Sequence, residues 1–235
     1  MNIILLSEGE TFLPSNDERA KHIRKVLHMA EGDSFRAGIV NGAMGTARIV
    51  SSGPEGIGLS FTAERDGSAL YPLTLIVAQV RPICMRRILR EAVSMGVSRI
   101  LLPVSDLGEK SYLGASLYRE EEYRGILLSG AMQSGMTGVS SVSVLPSLDQ
   151  AIAQADGDEL ILLDNRAGAV SLSEAELRGR SAVLAIGPER GWSEREVGLF
   201  MEAGYRPMLL GSRILRTETA AVGGTMLALS RMGCI

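Results

Sequence analysis

The chain contains 235 residues, of which 46% are hydrophobic and 22% are charged, and its formal net charge is −3 at pH 7. This composition is typical of a soluble globular protein, and the negative charge gives no global attraction to nucleic acid, so any RNA contact must come from a local basic patch. No apolar run approaches the roughly eighteen residues that a membrane span needs. The opening MNIILLSEGE lacks the features of a signal peptide, so we expect a cytoplasmic protein.

Three short β-like patterns and a helix characterise residues 1–70. The segments DSFRAGIV, TARIVSSG and IGLSFTAE alternate apolar and polar residues, which predicts a small β-rich unit or barrel. A helix is predicted from Asp17 to about Met29. The polar link ERDGSALYP then leads into a different pattern, so we place a domain boundary between residues 1–70 and 71–235.

Apolar strands alternate with helical stretches from Leu73 onward. The strands are LTLIVAQV, RILLPV, ELILLD, SAVLAIG and RPMLLG, and the helices are MRRILREAVSMG, SLYREEEYRGILLSGAMQ, LDQAIAQA, SEREVGLFMEAG and TETAAVGGTMLALSRM. Continuous apolar strands need cover on two faces. The pattern therefore predicts an α/β domain with a parallel sheet covered on both faces.

The two cysteines, Cys84 and Cys234, form no CxxC pair and have no nearby histidine. Isolated residues of this kind are expected to be reduced structural thiols. We therefore predict no metal site.

Two strand-to-helix turns are candidates for a ligand site, because ligands of open α/β sheets bind beyond the carboxyl ends of the strands. One is IGPERGWSEREV, in which Ser193 and Glu196 form a capping-box pattern. The other is LLGSRILRTETAAV, in which Thr217 is predicted to cap the last helix. Either loop alone could be an ordinary turn. The absence of GxGxxG and GxxxxGK[ST] patterns disfavours dinucleotide and P-loop sites.

The same two stretches resemble the IGPEGG(F/W)S…E and LG.RILR.ETA signatures of the RsmE family, SPOUT-class ribosomal RNA methyltransferases that act on uracil N3 of small-subunit RNA. Weaker similarities occur in HIRKVLHMAEGD, REAVSMGVSRILLPV and AMQSG. The resemblance implies a PUA-like β-barrel that binds RNA, a C-terminal trefoil-knot domain and a homodimer. It also implies S-adenosylmethionine as cofactor, bound by Leu163, Ile186, Gly187, Pro188, Glu189, Gly191, Leu210, Gly211, Ile214, Leu215 and Arg216.

The chemistry implied by the resemblance requires alignment of the methyl group with a deprotonated uracil and no metal. We assign Arg216 to the stabilisation of negative charge on the uracil, with a structural salt bridge as the alternative. Glu189 and Glu218 are the candidate proton acceptors, although either could cap a helix or pair with an arginine.

Contact with RNA is expected at two basic clusters, since Lys and Arg on one face can neutralise phosphates. A solvated helix surface explains the same residues. The clusters comprise Arg19, Lys21, His22, Arg24 and Lys25, and then Arg81, Arg86, Arg87 and Arg90.

The chain departs from the family pattern at several positions. Arg190 replaces the second glycine of GPEGG, and a positive φ at that position would cost about 1–2 kcal/mol. Met136, Glu91, Ser94 and His28 also differ from the residues expected in the weaker motifs. Two alternatives follow, namely a divergent methyltransferase with another RNA target and a non-catalytic RNA-binding or assembly protein.

Overall fold

The computed structural model describes residues 2–166 and 169–235, which divide into two compact units. The first unit contains the described residues up to Ala69 and the segment Leu128–Val139. The second contains Leu70–Leu127 and Ser140–Ile235.

A mixed sheet of five strands forms the first unit. The strands are β1 (Ile4–Leu6), β2 (Phe12–Pro14), β3 (Ser34–Ile39), β4 (Ala43–Gly53) and β5 (Gly56–Asp66), in the spatial order β1-β3-β4-β5-β2. Strand β1 is parallel to β3, and the other neighbours are antiparallel. The described ladders thus form an open, β-rich sheet, and no ladder among them joins β1 to β2.

One helix, α1 (Glu18–Lys25), packs on this sheet. Its buried residues Ala20 and Ile23 join a core with side chains such as Phe35 from the sheet. The prediction that the helix runs to Met29 was wrong, because it ends at Lys25 and His28 has a φ of +53°. Left-handed backbone of this kind cannot continue a right-handed helix.

A parallel sheet of seven strands forms the second unit. Its strands are β6 (Tyr71–Val77), β7 (Val97–Pro103), β8 (Ser141–Leu145), β9 (Glu159–Leu163), β10 (Val170–Ser171), β11 (Ala182–Ile186) and β12 (Arg206–Leu209), in the order β10-β12-β9-β11-β6-β7-β8. Every ladder between neighbours is parallel. The predicted α/β class with a parallel sheet is confirmed.

The helices of the chain that follow α1 are α2 (Pro82–Ser94), α3 (Ser116–Arg119), α4 (Tyr123–Ser134), α5 (Leu148–Gln154), α6 (Glu194–Glu202) and α7 (Thr217–Met232). Alternation along β11 shows how the sheet is covered. Val183 and Ala185 belong to a core with α5 and α6, whereas Leu184 lies on the side where α7 approaches at Gly224. Successive side chains of a strand point to opposite faces, so both faces are covered.

Three local predictions differ from the structure. The stretch SLYREEEYRGILLSGAMQ forms two helices rather than one, because Glu121 between α3 and α4 has a φ of +53°. The N-cap of α7 is Arg216 rather than Thr217, which is the first helical residue. Strand β8 was not predicted, since its short sequence SVSVL alternates serine with apolar residues instead of forming a continuous apolar run, and it lies at the edge of the sheet.

Candidate active site

A cavity of about 370 Å³ lies at the carboxyl ends of β9, β11 and β12. These strands are neighbours in a parallel sheet, so the loops that follow them meet at one edge, where ligands of such sheets bind. The cavity is lined by Leu163, Asp164, Asn165, Ile186, Gly187, Pro188, Glu189, Arg190, Gly191, Trp192, Leu210, Arg213, Ile214, Leu215, Thr217 and Ala220.

The loop after β11 is a tight turn closed by a hydrogen bond from the Gly191 amide to the Pro188 carbonyl, at 2.9 Å. Gly191 has a φ of +73°, which favours glycine, whereas Arg190 lies outside the left-handed region. A Cβ atom on Gly187 would lie 3.3 Å from the backbone of Gly191 and from Trp192 Cδ1. The glycine requirement therefore falls on Gly187 and Gly191, and the anticipated strain at Arg190 is absent.

Helix α6 starts at the predicted capping box. The Ser193 side chain accepts from the Glu196 amide, and Glu196 Oε2 accepts from the Ser193 amide at 2.8 Å. Glu196 is fully buried, and its Oε1 also accepts from the Asp106 amide at 2.9 Å. The carboxylate thus ties the end of the glycine loop to the segment that follows β7.

The loop after β12 forms the opposite wall of the cavity. Ile214 is 90% exposed and Leu215 is 37% exposed, and both line the cavity together with Arg213. Exposed apolar side chains at a cavity are suited to contact with a ligand. Arg216 is exposed at the N-terminus of α7, and its guanidinium makes no ion pair with any described residue. The alternative of a structural salt bridge has no support here.

Most residues implied by the family signatures lie at this cavity. Leu163, Ile186, Gly187, Pro188, Glu189, Gly191, Leu210, Ile214 and Leu215 are among its lining residues. Gly211 and Arg216 lie in the same loop but do not line it. Arg190 and Arg213 fall within the two loop ranges expected to contact the cofactor, 187–191 and 210–216. The lining residues outside these ranges that sequence reasoning did not select are Asp164, Asn165, Trp192, Thr217 and Ala220. Of these, Asp164 ends a predicted strand and Asn165 directly follows it, a position that could have indicated both.

The residues present fit S-adenosylmethionine. The cavity volume falls within the range of small-ligand sites, and the apolar side chains of Leu163, Ile186 and Leu210 can contact a flat ring. Two glycines leave backbone groups accessible. The indole N–H of Trp192 is buried without a hydrogen-bond partner in the described part of the chain, which leaves a donor at the cavity wall.

The two candidate proton acceptors lie close to Cys84. Burial raises the pKa of the Cys84 thiol, and the carboxylates of Glu218 and Glu189 raise it further, with Glu218 also in hydrogen-bond contact. Glu189 Oε1 accepts from the Arg81 amide at 3.5 Å. The charges of Glu189, in the loop after β11, and of Glu218, in the first turn of α7, thus both act on one thiol.

Several of the predicted RNA-contacting residues have intramolecular partners. Arg19 pairs with Glu10 and Asp17, at 2.7 Å in each case, and its hydrogen bonds are the main reason that the pKa of Asp17 lies below its ordinary value. Arg24 donates to two backbone carbonyls. Lys21 pairs with Glu18, and Arg86 pairs with Glu122. By contrast, no ion pair within the described residues involves His22, Lys25 or Arg87.

Neither a metal cluster nor a membrane helix is found within residues 2–166 and 169–235. No group of three or more His, Cys, Asp or Glu side chains there could hold a metal ion. No helix of this part of the chain is both long and apolar enough to cross a membrane.

A family model described as the RNA methyltransferase domain matches residues 68–229, which is more than half of the chain. The matched region contains the parallel sheet and all residues that line the cavity. The fold, the cavity and this match together define the RNA methyltransferase class.

Comparison with individual relatives identifies the family within this class. The chain is 38% identical over 242 residues to ribosomal RNA small subunit methyltransferase E of Treponema pallidum, covering 98% of this chain and 91% of the relative. It is 27% identical over 236 residues to ribosomal RNA small subunit methyltransferase E 1 of Borreliella burgdorferi, covering 99% of each. The crystal structure of ribosomal RNA small subunit methyltransferase E from Neisseria gonorrhoeae bound to S-adenosyl methionine has a TM-score of 0.79 and 25% identity, over 98% of this chain and 97% of that one. The chain belongs to the ribosomal RNA small subunit methyltransferase E family.

Proposed function

We propose that this protein methylates N3 of a uracil in small-subunit (16S) ribosomal RNA, with S-adenosylmethionine as the methyl donor. The observation that carries the proposal is the cavity at the carboxyl ends of β9, β11 and β12, which is built from the two signature loops. Two relatives are named as ribosomal RNA small subunit methyltransferases, and a third protein of that name binds S-adenosyl methionine in its crystal structure. The uracil N3 specificity rests on the family resemblance.

The cofactor would lie between the glycine loop and the loop after β12. Leu163, Ile186 and Leu210 would contact its adenine ring, and the backbone of residues 187–191 would approach it closely. Bound there, the cofactor supplies a methyl group on a positively charged sulfur, so alignment with the uracil nitrogen is the main requirement.

The protein must also favour the deprotonated uracil. Arg216 is exposed at the N-terminus of α7, where the helix dipole adds positive potential, and it pairs with no acidic group in the described part of the chain. We assign it to the stabilisation of negative charge on the base. Glu189, which lines the cofactor cavity, or Glu218, in the first turn of α7, would accept the N3 proton.

The family resemblance further supports a cytoplasmic homodimer in which residues 1–70 form a PUA-like barrel and residues 71–235 form a trefoil-knot methyltransferase domain. The β-rich character of the first unit and the parallel sheet of the second agree with this architecture. For RNA contact we favour His22, Lys25 and Arg87 over Arg19 and Arg24, because the latter two guanidinium groups are occupied by intramolecular bonds.

Two measurements test the proposal. Calorimetry with S-adenosylmethionine should show binding, competition by S-adenosylhomocysteine and a raised melting temperature, since a ligand of the native state stabilises it. Small ribosomal subunits from cells that lack the protein should then gain one methyl group on uracil N3, located by mass spectrometry of RNA fragments. Failure to bind the cofactor would indicate a non-catalytic RNA-binding protein, and methylation elsewhere would indicate a divergent target.

A further inference from the structure

A second cavity of about 370 Å³ lies on the same edge of the parallel sheet, beyond the carboxyl ends of β6, β7 and β8. Its lining shares no residue with the cofactor cavity, and the proposed methyl transfer does not use it. It is lined by Gln79, Val104, Ser105, Asp106, Gly108, Lys110, Leu113, Pro146, Ser147, Leu148 and Arg195.

Two buried polar side chains at this cavity have spare hydrogen-bonding capacity. Gln79 is 4% exposed, and its Nε2 donates to the carbonyls of Leu102 and Leu145 at 2.8 and 3.3 Å. Only the NH₂ group can donate to carbonyls, so these bonds orient the amide and leave Oε1 as an acceptor. Ser105 is 7% exposed, and its Oγ has no partner in the described part of the chain. Buried polar atoms are normally hydrogen-bonded, so this hydroxyl is available to a polar group that enters the cavity.

Three of the residues that line this cavity are charged, and they differ in whether an ion pair already occupies them. The Arg195 guanidinium donates two hydrogen bonds, of 2.7 and 2.9 Å, to the Asp106 carboxylate. The two side chains therefore neutralise each other's charge. Lys110 is exposed and makes no ion pair with any described residue. The remaining wall is mainly apolar, through residues such as Leu113 and Pro146.

The cavity wall is held in place by the start of α6. Asp106 accepts a hydrogen bond from Ser193 Oγ at 2.6 Å, and its amide donates to the buried carboxylate of Glu196. A site whose side chains are fixed before binding loses less entropy when its ligand arrives.

We propose that this cavity binds one nucleotide of the RNA substrate other than the uracil that is methylated. The apolar wall would contact the flat base, Gln79 Oε1 and Ser105 Oγ would accept from N–H groups on the base edge, and Lys110 would bind a phosphate. The inference rests on the proposed function, because it requires an RNA substrate. The cavity would be a second contact through which the enzyme recognises the sequence or shape of the RNA near the methylated uracil.

Nucleoside 5′-monophosphates are the probe for the test, titrated by NMR into the full chain saturated with S-adenosylhomocysteine. Resonances of residues 104–113 should shift. Ser105→Ala and Lys110→Met should weaken this binding and raise the KM for small ribosomal subunits, about tenfold for the loss of the charged contact, with kcat unchanged. Lys110→Met should also reduce the slope of log affinity for RNA against log salt by about 0.7, the value for one phosphate on single-stranded RNA.

Thr225 supplies the matched control, because its hydroxyl is also buried and has no hydrogen-bond partner among the residues that the structure describes, but lies on α7 and lines neither cavity. Thr225→Val and Ser105→Ala should both leave the free protein at least as stable, since each removes an unpaired buried hydroxyl. Only Ser105→Ala should weaken nucleotide binding.

The proposal is overturned if millimolar nucleotides shift no resonance of residues 104–113, or if nucleotides bind there but neither Ser105→Ala nor Lys110→Met changes the KM for RNA. The second result would assign the cavity to a free small molecule. Both outcomes are distinct from failure of the proposed function, in which the unsubstituted protein neither binds S-adenosylmethionine nor methylates any subunit.

Discussion

At the scale of single residues, the glycine loop contains two adjacent positions, 190 and 191, that are both glycine in the family signature but have different backbone conformations here. Gly191 has a φ of +73° and closes the turn, whereas the side chain of Arg190 is exposed on unstrained backbone. An L-residue at position 191 must adopt the left-handed region, which costs about 1–2 kcal/mol.

We therefore expect Gly191→Ala to lower the free energy of unfolding by about 1–2 kcal/mol and to weaken S-adenosylmethionine binding. The control Arg190→Gly restores the family residue and should change stability by no more than about 0.5–1 kcal/mol, the flexibility cost of glycine. Urea denaturation and calorimetry measure both quantities. Equal destabilisation by the two substitutions would contradict this account of the turn.

Arg216 is the second residue whose role can be tested. An interaction made mainly in the transition state appears in kcat, so Arg216→Ala should slow turnover on small subunits by about 10²–10³-fold with nearly unchanged cofactor affinity. Arg213→Ala is a useful comparison, because Arg213 lines the cofactor cavity and its loss should act on binding. Full activity of a folded Arg216→Ala protein would remove Arg216 from the mechanism.

At the scale of secondary-structure elements, α6 depends on one buried carboxylate. Glu196 accepts from the amides of Ser193 and Asp106, so its removal leaves two backbone donors without their partner. Loss of partners for buried groups costs about 1–3 kcal/mol each.

The expected result for Glu196→Ala is a loss of about 2–4 kcal/mol in the free energy of unfolding, measured by urea denaturation. Glu194→Ala, two residues earlier, removes an exposed side chain whose ion pair with Arg166 spans 3.3 Å, and should cost at most about 1 kcal/mol. If both variants unfold at the same denaturant concentration, the carboxylate does not anchor the helix.

At the scale of the whole molecule, association is the property to test. Helices α2 and α7 pack together in the second unit, and each exposes an apolar side chain, with Ile83 at 56% and Met226 at 47% exposure.

Sedimentation equilibrium at micromolar concentration should show a dimer if the homodimer that the family resemblance implies is correct. Met226→Glu should shift it toward monomer, because a charge buried at an interface without a partner is unfavourable. Met201→Glu on α6, where Met201 is 49% exposed, is the matched control and should leave the dimer intact. A monomeric unsubstituted protein would contradict the proposal.

Sequence alone determined the α/β class, the parallel sheet and the two loops at the cofactor cavity. These features depend on local patterns, since apolar strands, the Ser193 and Glu196 capping box and the GPERG turn are all encoded within a few residues. The end of α1 and the break between α3 and α4 escaped prediction because non-glycine residues adopt left-handed backbone there, a conformation that local propensity disfavours.

Only the tertiary structure decided which distant residues meet. Leu163, Gly187 and Leu210, which come from three separate segments, line one cavity. Gln79 and Ser105, which follow different strands, line the other. Their proximity follows from the order β10-β12-β9-β11-β6-β7-β8, in which neighbouring strands are far apart in the chain. Side-chain periodicity shows that a strand exists and which side chains it buries, but pairing between strands depends on long-range packing, so the composition of each cavity requires the folded chain.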